Sequence, residues 1–126
     1  MNIGIIGLGD MGRLYAKSFA GAGYRVFGAD LPGRRAALEE QLEPLGVSIL
    51  EDGREVSRRC DVIFYSVEAA GIAEAVRAYG GATRFGAIVA GQTSVKHPEI
   101  TAFETHLPPD VNIITCHSLH GPGLDP

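Results

Sequence analysis

Residues Gly7-Leu8-Gly9-Asp10-Met11-Gly12 stand between an apolar run and a helical repeat, and this turn constrains the fold more than any other stretch. Asn2 to Ile6 reads as a buried strand. After the glycines, Met11, Leu14, Tyr15, Ser18, Phe19 and Ala22 recur at helical spacing, which predicts a helix with these residues on its packed face. In a G-x-G-x-x-G turn that leaves a strand and opens a helix, each glycine has a physical reason. Gly7 permits the tight turn, Gly9 has no side chain to keep a pyrophosphate from the backbone, and Gly12 lets helix and strand approach closely. The unpaired N–H groups and partial positive charge of the helix start then suit phosphate oxygens.

The rest of the chain repeats the alternation of strand and helix. Arg25 to Ala29, Val47 to Leu50, Asp61 to Ser66, Ala87 to Ala90 and Val111 to Cys116 read as further strands. Leu38, Leu42 and Leu45 mark a helix from about Arg34 to Glu43, closed by Pro44 and Gly46. Ala69 to Tyr79 reads as another, and Pro98 opens one that runs to about His106, with Pro108 and Pro109 blocking its extension. With no linker, repeat or low-complexity tract, residues 1–126 form one domain. The expected class is α/β: a doubly wound, mostly parallel Rossmann sheet of about six strands with helices on both faces.

Asp30 ends the second strand, eighteen residues beyond Gly12, where an acid hydrogen-bonds the adenosine ribose of a dinucleotide. By itself it favours NAD, because a carboxylate repels a 2′-phosphate. Arg34 and Arg35 open the next helix, where the macrodipole disfavours cations unless an anion lies nearby. A 2′-phosphate of NADP would be such an anion, and solvated surface arginines are the alternative. The residues alone leave that choice open. Ser66 and Val67, at the end of the fourth strand, are placed to border the nicotinamide ribose.

Charge and composition narrow the partners to small molecules. A net charge of −4 gives no reason to expect nucleic acid or an anionic membrane surface. Cys60 and Cys116 form no C-x-x-C pair and are too few for a disulfide framework. The apolar start lacks a basic flank and is cut by Gly4, Gly7 and Gly9, so it reads neither as a signal peptide nor as a membrane span. A cytoplasmic protein is expected.

Two later segments carry reaction chemistry: Gly91-Gln92-Thr93-Ser94-Val95-Lys96 after the fifth strand, and His117-Ser118-Leu119-His120-Gly121-Pro122 after the sixth. Here the chain resembles the prephenate and arogenate dehydrogenases, with their Ser-x-Lys element after one strand and H-P-M-x-G-P-like element after the next. "GDMGRLYAK", "SVEAA", "GQTSVK" and "CHSLHGP" resemble the fungal-type, NADP-dependent branch in particular. Glu68 and Ser118 replace prolines of the wider family, and both departures match that branch. β-Hydroxyacid dehydrogenases and imine reductases share the first turn, but the D-x-S-G-G-type segment of the hydroxyacid family is missing.

The resemblance implies oxidative decarboxylation of prephenate to 4-hydroxyphenylpyruvate, in tyrosine biosynthesis, with NADP or NAD as hydride acceptor. His117 would accept the ring-hydroxyl proton, since imidazole is the side chain most easily poised near neutral pH. Ser94 would bond the same hydroxyl or orient the imidazole. Gln92, Lys96 and His120 are candidate substrate contacts, with Lys96 able to attract a dicarboxylate. A metal site at Cys116, His117 and His120 lacks further ligands, and hydride transfer needs no metal, so none is expected. Members of the family complete the pocket with a C-terminal helical domain that also forms a homodimer. "GPGLDP" reads as a cut before that domain, so the chain is expected to bind nucleotide and turn over substrate poorly alone. A non-catalytic NAD(P)-binding sensor is the alternative from a different functional class.

Overall fold

Asn2–Ile6 forms β1, and both of its edges are taken by parallel neighbours, β2 (Arg25–Ala29) on one side and β4 (Val62–Tyr65) on the other. In the computed structural model, which describes residues 1–67, 69–91, 107–108 and 112–115, β3 (Val47–Ile49) extends the sheet beyond β2. β5 (Ile88–Gly91) and β6 (Asn112–Thr115) extend it beyond β4, again in parallel. The order is β3-β2-β1-β4-β5-β6, a six-stranded sheet that bears out the expected doubly wound class. The chain winds outward from β1 through β2 to β3, then returns to start β4 on the other side of β1. Between the carboxyl ends of β1 and β4 lies the topological switch point, where open α/β sheets bind ligands.

Strand periodicity assigns the two faces. Ile3, Ile5, Val26 and Phe64 point to one side, where α1 (Asp10–Gly21) and α2 (Arg35–Leu42) cover them with Tyr15, Ala16, Leu38 and Leu42. Ile6, Ala29, Ile63, Tyr65 and Val89 point to the other. There α3 (Gly53–Arg59) and α4 (Ala69–Tyr79) supply Val56, Ile72 and Val76. Phe64 joins α1 to the sheet through stacked rings, its centroid 5.3 Å from Phe19 and 5.9 Å from Tyr15.

Three details differ from the expectation. The packed face of α1 is Gly12, Tyr15 and Ala16, while Met11 and Leu14 are exposed, because helix and sheet meet most closely along the glycine side. The helix expected from about Arg34 is split into a 3-10 turn at Pro32–Arg34, then α2, then a second 3-10 turn at Glu43–Leu45. Gly46, in the left-handed conformation at φ 96°, stops it as expected. The sequence reading also passed over α3. It is short, but the Asp52 carboxylate accepts from the N–H groups of Arg54 at 2.9 Å and Glu55 at 3.2 Å, and Asp52 with Glu55 has the spacing of a capping box. The helix expected over Pro98 to His106 lies outside the described residues.

Candidate functional site

The glycine turn works by close approach. Gly7 takes φ 97°, and a Cβ there would collide with the Ser66 carbonyl at the end of β4. A Cβ on Gly12 would collide with the Gly7 carbonyl, so the first turn of α1 can sit against the end of β1 only with glycine at that position. Gly9 differs from both: among the described residues a Cβ there would meet nothing within 4 Å, so its backbone faces open space there. Gly9 is also the N-cap of α1 and makes no side-chain cap, leaving the first N–H groups of the helix for an external acceptor.

That open space is part of a cleft of about 590 Å³ at the carboxyl ends of β1, β2 and β4. Among the residues expected at the cofactor, the cleft brings together Gly7, Gly9, Asp30, Arg34, Ser66 and Val67. Gly12 supports the turn from beneath. Leu8 is fully buried and contributes backbone, its side chain packing over Gly28 of β2. Asp10 and Met11 occupy the exposed side of the first helical turn, with Asp10 ion-paired to Arg13 at 2.5 Å. Arg35 also lies outside the cleft lining and pairs with Glu39 on its own helix at 3.5 Å.

Asp30 and Arg34 form the polar end of the cleft. Asp30 Oδ2 accepts from the Leu8 N–H at 2.6 Å and from Arg34 Nη1 at 3.0 Å, and Oδ1 accepts from the Leu31 N–H at 2.7 Å. Arg34 Nη2 donates to the Leu8 carbonyl at 3.3 Å. Leu31, Gly53, Ala75, Ala78 and Tyr79 supply apolar lining, with the exposed Glu74 beside them. Gly53, Ala75, Ala78 and Tyr79 were missed in the sequence because they sit on α3 and α4, far along the chain from the glycine motif. A usable signal was Gly53, where any Cβ would strike the Tyr79 ring, so the two helices meet at that point.

Two titratable groups behind the cleft are held neutral. Burial pushes the Cys60 thiol up to about 12, with Asp61 adding to the effect. Burial likewise raises the Tyr65 hydroxyl above its ordinary range, against a smaller opposing effect of its hydrogen bond with Ser57.

Ser94, His117, Gln92, Lys96 and His120 lie outside the described residues, as do Cys116, Glu68 and Ser118. The strands that precede the two motifs are described. Tyr65 of β4 pairs with Gly91 of β5, and Gly91 with Thr115 of β6, so all three strands end in line at the carboxyl edge of the sheet.

The model of the family described as "NADP oxidoreductase coenzyme F420-dependent" matches residues 2–90. A Schizosaccharomyces pombe protein named probable prephenate dehydrogenase, NADP(+), is 52% identical over 124 residues, which cover 98% of this chain and 29% of that protein. A Saccharomyces cerevisiae protein named prephenate dehydrogenase, NADP(+), is 51% identical over 123 residues, 98% of this chain and 27% of the other. The chain thus spans under a third of the length of these relatives. A ketopantoate reductase of the PanE/ApbA family from Ralstonia eutropha superposes with a TM-score of 0.78 at 20% identity, over 91% of this chain and 40% of that one, a likeness of fold alone.

Proposed function

Because the chain belongs to the family of NADP oxidoreductases described as coenzyme F420-dependent, we propose that it is the coenzyme-binding part of an NADP-dependent prephenate dehydrogenase. The observation that carries this reading is the 52% identity to a relative of that name, sustained over 98% of the chain. The cleft fits the coenzyme: a glycine turn open at Gly9, uncapped helical N–H groups, an arginine paired with Asp30, and apolar lining from Leu31, Ala75, Ala78 and Tyr79.

In this reading the start of α1 holds the pyrophosphate, Arg34 meets the 2′-phosphate, and Leu31, Ala75 and Tyr79 enclose the adenine. Ser66 and Val67 border the nicotinamide ribose at the switch point. Bound NADP+ supplies the hydride acceptor. The substrate ring then loses hydride and carbon dioxide and becomes the phenol of 4-hydroxyphenylpyruvate. His117 takes the ring-hydroxyl proton as that carbon is oxidised and returns it to the oxygen when loss of carbon dioxide makes the ring aromatic, and Ser94 orients the imidazole or shares the hydroxyl. Lys96, Gln92 and His120 hold the substrate carboxylates and ring. Because β5 and β6 end in line with β4, chain segments that follow them start on the same edge as the nicotinamide end of the cleft.

The test is prephenate-dependent reduction of NADP+ by the whole dehydrogenase of which this chain is the coenzyme-binding part, and by its His117→Asn variant, with NADP affinity measured on each. Loss of turnover with affinity retained supports the reading. Full turnover by the variant would remove His117 from the chemistry, and no prephenate-dependent reduction by the parent protein would overturn the function.

A further inference from the structure

Asp30 occupies the position from which an acid reads the 2′-hydroxyl of NAD, yet its carboxylate is already engaged inside the protein. Its two oxygens accept the backbone N–H groups of Leu8 and Leu31 and the Arg34 guanidinium. A carboxylate has about four acceptor sites, and these bonds use three of them. Both side chains line the cleft, but that of Asp30 is 12% exposed against 45% for Arg34, so the arginine is the more accessible of the pair. Arg34 is tied at two points, Nη1 to Asp30 and Nη2 to the Leu8 carbonyl, and among the described residues its other donors remain for a ligand. Leu8 is thus bonded to both members of the pair, which fixes the guanidinium against the phosphate-binding turn itself.

From this geometry we infer that Asp30 is a positioning residue for Arg34, and that it selects for a 2′-phosphorylated coenzyme instead of reading a ribose hydroxyl. The pairing removes the expected conflict between an acid and a 2′-phosphate. The carboxylate charge is balanced by the guanidinium and two N–H dipoles, and the arginine is held where the phosphate arrives. A bare acid at this place would repel the phosphate, and an untethered arginine would lose side-chain freedom on binding. The inference rests on the proposed contact between Arg34 and the 2′-phosphate.

The experiment is calorimetric titration with NADP and, separately, NAD of the protein and its Arg34→Gln, Asp30→Asn and doubly substituted variants. The ratio of the two affinities is the readout, since general damage to the fold weakens both coenzymes and cancels. Asn retains an acceptor for the Leu8 N–H, and Asp30→Ser provides a second variant should Asn fold poorly. Arg34→Gln is expected to lower the NADP:NAD ratio about tenfold or more, the value of one charge-assisted hydrogen bond. Asp30→Asn should lower the ratio in the same direction, and the double variant should fall no further than Arg34→Gln, because the acid acts through the arginine. If Asp30→Asn instead raises the ratio while Arg34→Gln lowers it, Asp30 is a ribose ligand and the inference is overturned with the Arg34 contact intact. An unchanged ratio in Arg34→Gln would overturn the phosphate contact, and the inference with it.

Discussion

The carbonyl oxygen of Gly7 occupies the place that a Cβ on Gly12 would need, so β1 and α1 meet with no room for a side chain between them. Gly12→Ala must therefore push the helix start away from the strand end. The expected cost is about 1–3 kcal/mol, the usual penalty of overpacking, together with loss of nucleotide affinity as the helical N–H groups move. Thermal unfolding and NADP titration on the same preparation check both parts.

Gly9→Ala separates binding from folding. A methyl group at Gly9 touches no atom of the described residues, so the melting temperature should stay within a degree or two of the parent. NADP affinity should nonetheless drop by about tenfold or more, because the methyl group enters the path of the pyrophosphate to the backbone N–H groups. Equal damage to binding and stability would place this glycine in the fold and not in the site.

Arg35 offers the control for its neighbour. It is paired with Glu39 at 3.5 Å on an exposed helix face, away from the cleft lining. Arg35→Gln should change affinity for NADP by no more than about twofold, as expected for a solvated surface pair. Titration at moderate salt decides this, and a tenfold loss would bring Arg35 back to the coenzyme.

Phe64 is the side chain through which α1 grips the sheet, stacked on Phe19 and Tyr15. Phe64→Ala should destabilise the protein by about 3–5 kcal/mol, while Phe64→Leu, which keeps most of the volume, should cost far less. Urea unfolding of the two variants measures the difference.

What was legible in the sequence follows from how far each signal reaches along the chain. The strands and the first turn are local patterns of apolar runs and glycines, and residues 2–91 carry them clearly. That Gly7, Gly9, Asp30, Arg34, Ser66 and Val67 line one cleft was legible because each lies in the segment that follows a strand, and parallel strands bring their carboxyl ends to one edge. Periodicity misjudged Met11 and Leu14, because α1 docks through its small residues and leaves these apolar ones exposed. The apolar wall from Tyr79 and Ala75 was illegible for a different reason: whether α4 faces this cleft depends on the packing of α3 against α4 through Gly53, a contact between distant segments. The role of Asp30 was hidden in the same way. Its partners Leu8 and Arg34 are set by the meeting of two loops, and residue type alone suggested a free acid.

Alkaline stability should report on Cys60 and Tyr65 together. Both are fully buried, and both are kept protonated in the native state by that burial. In the unfolded chain the thiol ionises near 9.0 and the phenol near 10.0, while the native thiol holds its proton to about 12. Between those limits the unfolded state binds fewer protons than the native state, so stability is fully present below pH 9 and falls as pH rises toward 12. Urea midpoints measured across that window should decline, and the decline should be shallower in Cys60→Ala, where one of the two ionisations is gone. The same burial predicts that a thiol reagent at neutral pH leaves Cys60 unmodified in the folded protein and labels it once urea is added. Rapid labelling of the native protein at Cys60 would mean that the face of the sheet covered by α3 opens far more readily than its packing against β1 allows.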